Sequence, residues 1–335
     1  MTNQQHLVFG TGLIGGYLAG TLIAQGFATH LLGRAKSRND MASGLTIGDY
    51  LGNEASVPAP IFIDANESSN FEYDVIWLTV KCTAIESALE TLGKLVTPQT
   101  TIICCQNGLG SDEPLRATFP NNPILTAVVG YNVAEPGPGH LHRSTEGKLV
   151  IESTELVDSI VAQLNCDLLP TVSSSEILAE QWAKLQLNLA NPVNALADVP
   201  TKQMTETAGY RKIIAALMAE LLMVTKAMNL SLPNVTALPG TWLPTLLRTP
   251  DWLYKKIAQK TLAIDPTARV SMWWDLQGKR RTEVDFLNGA VVAHGRALGL
   301  VCPVNEKIVN LIHEVEAGKR EIGLSPEQMA ELLGL

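Results

Sequence analysis

Six consecutive residues have the spacing of a phosphate-binding turn: Gly10, Thr11, Gly12, Leu13, Ile14 and Gly15. The apolar run 7–9 comes before them and a helical pattern continues to about residue 25, which places the turn between a strand and a helix. In this setting the first glycine permits a tight bend, the second lets the backbone approach a diphosphate, and the third lets helix and strand pack closely. The positive end of the helix attracts the diphosphate. The pattern therefore predicts a dinucleotide-binding site.

The residues after the next predicted strand indicate which dinucleotide would bind. That strand covers residues 29–32 and is followed by Arg34, Lys36 and Arg38. Enzymes that prefer NAD usually have an acidic residue here, which binds the ribose 2′-hydroxyl group. A cation suits the 2′-phosphate of NADP, so the sequence favours NADP (NADPH), and the missing acid also argues against FAD. The alternative is a solvated basic loop.

Two further predicted strands end in polar residues. Residues 74–80 lead to Lys81, and residues 101–105 lead to Gln106 and Asn107. Ligands of open α/β sheets bind outside the carboxyl ends of the strands. Lys81 and Asn107 are therefore candidates for contacts with the cofactor or the substrate.

The second half of the chain is predicted to be mainly helical. Residues 173–176 have the pattern of a capping box that opens a helix over residues 177–189. Lys184 and Asn188 are four residues apart and share one face of this helix, which could be plain surface or a site. Another long helix is predicted over residues 205–229.

Two later segments have patterns that a purely structural role could explain. A helix is predicted over about residues 279–298, with Glu283 in its first turn, where the helix dipole is enough to explain a carboxylate. Residues 231–254 are rich in proline and tryptophan and carry no evident chemistry. They are interpreted as a lid, a partner surface or an irregular connector.

These elements predict a two-domain α/β protein. A length of 335 residues suits two domains of ordinary size. The fold class is a Rossmann-type doubly wound sheet followed by a mainly α-helical C-terminal domain. We expect an NADP-binding domain over residues 1–172 and a helical domain over residues 173–335. Short strand-like runs between residues 124 and 152 suggest an antiparallel extension of the sheet.

Composition excludes several classes of protein. The net charge of −8 argues against a nucleic-acid-binding surface. The first residues are polar and no uncharged apolar stretch is long enough to span a bilayer, so we expect a cytoplasmic protein with no membrane partner. His140 and His142 lack a third ligand nearby, which predicts the edge of a strand and no metal site. The cysteines suggest buried, reduced thiols: Cys82, Cys104, Cys105, Cys166 and Cys302.

Taken together, the motifs of both halves resemble those of ketopantoate reductases (2-dehydropantoate 2-reductases) over nearly the whole chain. In the first half the resemblance lies in the glycine turn, in Thr79-Val80-Lys81 and in Asn107-Gly108. In the second half it lies in residues 182–188, Ser271-Met272, residues 281–289, Pro303 and Asn305. Ordered matches in both halves are more specific than the glycine turn alone.

The resemblance implies NADPH-dependent reduction of 2-dehydropantoate to pantoate, in pantothenate and coenzyme A biosynthesis. It implies Lys184 as the general acid and Glu283 as its partner at the substrate and cofactor. The implied substrate-binding residues are Asn188, Asn191, Ser271 and Asn107. The implied cofactor-binding residues are Gly10, Thr11, Gly12, Leu13, Ile14, Gly15, Arg34, Lys81, Asn107 and Glu283. A homodimer formed through the second domain is also implied.

Some positions depart from the family pattern. Pro192 stands where many members have a second asparagine, with Asn191 and Asn194 out of register beside it, and Thr201 stands where another asparagine is expected. Two alternatives therefore stay open. One is an NADP-dependent reductase of another 2- or 3-keto acid, or an opine-type dehydrogenase. The other is a non-catalytic, NADP-sensing regulatory protein.

Overall fold

The chain folds into two compact units. The computed structural model describes residues 4–64, 71–236, 238–257 and 267–335. The first unit comprises Met1–Asn107 and Ser111–Ile177, and the second comprises Gly108–Gly110 and Leu178–Leu335. Within the described ranges, none of the helices has the length and apolar character that a membrane-spanning segment requires.

In the described part of the first unit, twelve strands form two sheets. They are β1 (Gln5–Phe9), β2 (Ala28–Leu32), β3 (Leu45–Asp49), β4 (Glu54–Val57), β5 (Ile61–Phe62), β6 (Val75–Leu78), β7 (Thr101–Cys104), β8 (Ile124–Val129), β9 (Val133–Gly137), β10 (His140–Arg143), β11 (Leu149–Glu152) and β12 (Thr171–Ser174). The main sheet has eight strands in the order β12-β11-β8-β7-β6-β1-β2-β5. The strands from β8 to β5 are parallel, and β11 pairs antiparallel with β8.

Helices cover both faces of the main sheet. The helices of this unit are α1 (Leu13–Ala24), α2 (Ala35–Asp40), α3 (Ile85–Gly93), α4 (Glu113–Thr118) and α5 (Glu155–Leu164). The neighbours Leu7 and Val8 in β1 are both fully buried, yet they belong to different hydrophobic clusters, because successive strand residues point to opposite faces. Leu18 of α1 packs in the cluster of Val8, and Ile85 of α3 packs in that of Leu7. Burial on both faces is typical of parallel sheets and confirms the predicted doubly wound α/β class.

The second sheet corrects one prediction. It has four strands in the order β4-β3-β10-β9, with β3 and β10 parallel. Of the strands between residues 124 and 152, only β8 and β11 extend the main sheet, and β8 is parallel to β7. His140 and His142 therefore lie on an internal strand of a separate sheet, and their predicted place at a strand edge is wrong.

The described part of the second unit is helical. Its helices are α6 (Ile177–Asn188), α7 (Asn191–Ala197), α8 (Thr201–Glu206), α9 (Ala208–Ala227), α10 (Leu243–Leu247), α11 (Asp251–Ile257), α12 (Ser271–Gln277), α13 (Asn288–Ala297), α14 (Pro303–Glu316) and α15 (Pro326–Leu333). The longest of these, α9, buries Ile213, Leu217 and Leu221 in the core of this unit. An apolar stripe of that spacing is what the sequence pattern predicts for a core helix.

Three predicted elements differ from the structure. Residues 173 and 174 end strand β12, where the capping box was expected, and the Ser174 hydroxyl accepts from the amide of Glu176. The helix predicted over residues 205–229 is two helices, because Thr207 has extended backbone dihedrals between α8 and α9. Residues 231–254 contain α10 and the start of α11 within a largely irregular segment, of which residue 237 lies outside the described residues.

Candidate active site

Four adjacent strands bring the predicted cofactor residues of the first unit to one edge of the main sheet. The strands β7, β6, β1 and β2 are neighbours and run parallel, so their carboxyl ends share an edge. The glycine turn follows β1, and Arg34, Lys81 and Asn107 follow β2, β6 and β7. Ligands of open α/β sheets bind at such an edge.

The glycine turn packs tightly against the end of β6. Gly10 has a φ of 110°, in the left-handed region that favours glycine. A Cβ atom at Gly15 would lie 1.9 Å from the carbonyl oxygen of Gly10 and 2.4 Å from Thr79 Oγ1. The Thr79 hydroxyl donates to the carbonyl oxygens of Phe9 and Gly10. These contacts require glycine at both positions and fix the start of α1.

Gly12 has a different environment, because it leaves open space in front of α1. Apart from its two chain neighbours, no described residue has an atom within 4 Å of the place where its Cβ would be. Its φ of −74° and ψ of −168° are accessible to any residue, so the backbone itself does not require glycine. Gly12 is the N-cap of the helix, and the first turn of α1 contains no acidic residue. The amides and the positive end of α1 therefore fit a bound diphosphate.

A second set of contacts joins the glycine turn to the basic turn after β2. The Ser37 hydroxyl donates to the carbonyl oxygen of Thr11 at 2.8 Å. A Cβ atom at Gly33 would lie 1.8 Å from Thr11 Oγ1, which is buried and has no hydrogen-bond partner among the described residues. Ser37 could not be found from the sequence, because no local pattern marks its contact with a residue 26 positions earlier.

The cations after β2 differ in their partners. Lys36 is paired with Asp40 one helical turn later, and Arg38 lies 3.0 Å from Asp64 Oδ1. Arg34 is exposed and has no carboxylate partner in the part of the chain that the structure describes. Its guanidinium group is therefore placed to meet an anionic ligand without first breaking an ion pair.

A glutamine that the sequence analysis treated only as a strand end shapes the next turn. The Gln106 Nε2 group donates to the carbonyl oxygens of Leu78 at 2.8 Å and Val80 at 3.0 Å. It thereby links the ends of β6 and β7.

The turns that carry Lys81 and Asn107 meet at this link. Lys81 is exposed and precedes the 3-10 turn Cys82–Ala84. The thiol of Cys82 donates to the carbonyl oxygen of Asn107 at 3.2 Å. The turns that carry the two predicted residues are thus in contact within the first unit.

In the second unit, Lys184 and Asn188 lie on α6. Both are half-buried and are one helical turn apart. Trp182 on the same helix is fully buried, and its ring meets the edge of His294 from α13 at a centroid distance of 5.2 Å. This packing fixes the rotation of α6 and hence the face on which Lys184 lies.

Glu283 is not in the first turn of a helix. The predicted helix over residues 279–298 begins only at Asn288, and Glu283 precedes the 3-10 turn Val284–Phe286. Its carbonyl oxygen accepts from the amides of Phe286 at 3.0 Å and Leu287 at 3.2 Å. The residue is 9% exposed. The helix dipole of α13 therefore does not explain this buried carboxylate.

A chain of side chains from α14 supports the turn at Glu283. The Glu316 carboxylate accepts from the amide of Thr282 at 2.7 Å, and His313 lies 2.9 Å from both Glu316 and Asp285. Burial opposes the charge of His313, but its two carboxylate partners outweigh burial and raise its pKa. Burial also opposes the charge of Glu316, which would raise its pKa, but the Thr282 amide and His313 hold that pKa below its ordinary value.

The remaining predicted substrate residues begin two helices. Ser271 is exposed at the start of α12, and Asn191 is half-buried at the start of α7. Pro192 is buried, and Asn194 is fully buried and accepts from the Val270 amide at 3.4 Å. Asn194 therefore has a structural task and does not replace the missing family asparagine.

Other features of the described residues lie apart from these residues. No group of three or more His, Cys, Asp or Glu side chains in the described ranges is arranged to hold a metal ion. None of the five cysteines forms a disulfide bond; four are buried, and Cys166 is half-buried. A surface cavity of about 470 Å³ in the first unit is lined by Tyr50, Arg143 and Asp167, among others, and by none of the predicted site residues.

Comparison with known proteins identifies the family. The family model described as Ketopantoate reductase PanE/ApbA matches residues 6–155, and the model of the C-terminal part of the same family matches residues 176–316. The chain belongs to the ketopantoate reductase family. This confirms the predicted resemblance, and it confirms that the protein is an oxidoreductase.

Individual ketopantoate reductases are similar over nearly their whole length. The chain is 24% identical to the 2-dehydropantoate 2-reductase of Archaeoglobus fulgidus over 325 residues, which is 95% of this chain and 100% of that protein. A solved PanE/ApbA family ketopantoate reductase from Ralstonia eutropha superimposes with a TM-score of 0.77 at 25% identity, covering 95% and 100% of the two chains. A D-mandelate dehydrogenase solved with NADH and anilino(oxo)acetate has a TM-score of 0.75 at 19% identity, covering 94% and 99%, and is similar in fold alone.

Proposed function

We propose that the chain is a cytoplasmic, NADPH-dependent 2-dehydropantoate 2-reductase. The observation that carries this proposal is the family match in both halves. The first matched region contains the glycine turn, Arg34, Lys81 and Asn107, and the second contains Lys184, Asn188, Ser271 and Glu283. The first unit would bind the cofactor and the second the substrate.

The first unit supports a nicotinamide dinucleotide. The open space at Gly12 and the amides of α1 would receive the diphosphate. Arg34 would bind the 2′-phosphate, since its guanidinium group forms bidentate contacts with phosphate and has no carboxylate partner among the described residues. The diphosphate is common to both cofactors, so Arg34 alone favours NADPH over NADH, which has no 2′-phosphate.

Lys184 would act as the general acid. When bound, NADPH would supply the hydride that adds to the carbonyl carbon of the substrate, and negative charge would then develop on the carbonyl oxygen. The ammonium group of Lys184 would stabilise that charge and donate its proton to the oxygen. The buried Glu283 carboxylate would orient this ammonium group and favour its charged form, against the effect of burial.

Neutral groups would hold the keto acid. The amides of Asn188, Asn191 and Asn107 and the hydroxyl of Ser271 can donate to carboxylate and carbonyl oxygens. A homodimer formed through the second unit would follow the family resemblance, and light scattering on the purified protein would measure it.

Loss of NADPH absorbance tests the proposal directly. Purified protein should oxidise NADPH when 2-dehydropantoate is added and should be slower with NADH at the same concentration. If NADPH binds but 2-dehydropantoate is not reduced, a panel of other 2- and 3-keto acids, with and without an amine, tests the alternative reductase and opine reactions. Tight NADPH binding without reduction of any of these would favour the NADP-sensing protein.

A further inference from the structure

The residue after α7 contacts both sides of Ser271. Asp198 has a φ of 52° and a ψ of 37°, in the left-handed region. Its Oδ1 atom accepts from Arg269 Nη1 at 2.7 Å and from Trp273 Nε1 at 2.7 Å. The two donors stand two residues before and two residues after Ser271. One carboxylate therefore holds the chain on either side of that serine.

Further hydrogen bonds hold the segment before Ser271. The Thr201 amide donates to the carbonyl oxygen of Ala268 at 2.9 Å, and Asn194 Oδ1 accepts from the Val270 amide at 3.4 Å. Asn194 is fully buried, so its bond is shielded from water. The segment is thus tied to α7 and to the start of α8.

Arg269 already has its partners. Its guanidinium carbon lies 4.3 Å from the centroid of the Trp273 ring, and only 19% of the side chain is exposed. Because the ion pair with Asp198 and the stacking on Trp273 engage the guanidinium group, Arg269 links structural elements instead of offering a free cation. Recognition of a substrate carboxylate here would then depend on neutral donors such as Ser271.

We propose that Asp198 is a positioning residue for substrate binding, which fixes Ser271 through Arg269 and Trp273. This inference rests on the proposed function, in which Ser271 binds the keto acid. Asp198 itself touches no reacting atom and acts only through the two side chains that it holds.

Two substitutions test the carboxylate without straining the backbone. Asp198→Gly removes it, and glycine adopts the left-handed conformation readily. The KM for 2-dehydropantoate should rise about tenfold, while kcat stays within about twofold, as expected when a charge-assisted hydrogen bond no longer supports binding. Asp198→Asn keeps an acceptor oxygen and should raise KM by only about threefold. Asn229→Gly is the matched control, because Asn229 also has a left-handed φ of 54° but follows α9, and it should change neither constant.

Amide hydrogen exchange of the same variants measures the geometry without turnover. Peptides over residues 268–277 should exchange about tenfold faster in Asp198→Gly than in the wild type, and the Asn229→Gly control should match the wild type.

Unchanged exchange in Asp198→Gly would overturn the proposal, whatever the substrate. Faster exchange with an unchanged KM would also overturn it, because a merely structural role gives that result. If the wild type reduced no 2-dehydropantoate, the proposed function would fail, and the exchange of residues 268–277 would still decide whether Asp198 holds the segment.

Discussion

Replacing Gly12 with alanine should separate cofactor binding from folding. Apart from the two chain neighbours of Gly12, no described residue has an atom within 4 Å of the added methyl group, and the backbone dihedrals of Gly12 suit alanine. Alanine has fewer backbone conformations than glycine in the unfolded chain, and this stabilises the folded protein by about 0.4–1 kcal/mol. Alanine is a poorer N-cap than glycine by about the same amount. The two effects offset each other, so the Tm should stay within about 3 °C of the wild type.

The effect on the cofactor should be large. The methyl group would occupy the space where a diphosphate must approach the first amides of α1. Loss of one charge-assisted hydrogen bond, worth about 1.5–3 kcal/mol, weakens NADPH binding by about 10- to 100-fold. Fluorescence titration with NADPH gives the Kd, and a thermal melt of the same sample gives the Tm.

Gly15→Ala is the matched control for this prediction. Its Cβ would lie 1.9 Å from the carbonyl oxygen of Gly10, so α1 must shift, and overpacking of this kind costs about 1–3 kcal/mol or more. We expect a Tm several degrees lower together with weaker NADPH binding. If Gly12→Ala bound NADPH with the wild-type Kd, or lost as much stability as Gly15→Ala, the role assigned to Gly12 would be refuted.

Three further predictions concern the proposed general acid Lys184, the choice of cofactor and the effect of pH. Lys184→Ala should lower kcat by about two orders of magnitude and leave the Kd of NADPH nearly unchanged, and full activity would contradict its assignment as the acid. Arg34→Asp should weaken NADPH binding much more than NADH binding, because only NADPH has a 2′-phosphate. Arg38→Asp is the control, since Arg38 is already paired with Asp64. Equal losses for the two cofactors in Arg34→Asp would contradict the 2′-phosphate contact. Because the pKa of His313 is raised in the folded protein, its charged form stabilises the fold below about pH 6.5 and this contribution is lost as the pH rises through the raised pKa. The Tm difference between the wild type and His313→Gln should therefore shrink from acidic to alkaline pH, and a difference independent of pH would show that the charge of His313 adds nothing.

Local patterns explain what could be predicted in the first unit. The glycine turn lies within six residues, and the strand before it and the helix after it are its immediate neighbours. Parallel strands buried on both faces have continuous apolar runs, so β1, β6 and β7 could be located together with the residues at their ends. Lys81 and Asn107 therefore follow the strands after which they were predicted.

Contacts between distant residues explain the wrong predictions. Strand β12 pairs with β11, more than twenty residues earlier, and this pairing makes a strand end of Ser173 and Ser174, which locally resemble a capping box. Strand β10 pairs with β3, more than ninety residues earlier, so no pattern between residues 124 and 152 could show a separate sheet.

The residues of the candidate site also differ in how far the sequence could reveal them. Lys184 and Glu283 could be named only by resemblance, because a lysine and a carboxylate in helical surroundings are common on protein surfaces. Asp198 could not be found at all from the sequence, since its partners Arg269 and Trp273 follow it by 71 and 75 residues.

The strand order of the main sheet also bears on how the protein is made. The strands β1, β2, β6 and β7, with the glycine turn, Arg34, Lys81 and Asn107 at their ends, are all complete by residue 107. The strands synthesised later, β8, β11 and β12, add successively to one side of this group. Since the ribosome releases the chain from its N-terminus, every residue proposed to receive the dinucleotide, except Glu283, emerges before the first residue of α6 is made. The nascent chain therefore contains a nearly full set of proposed cofactor contacts well before Lys184 exists.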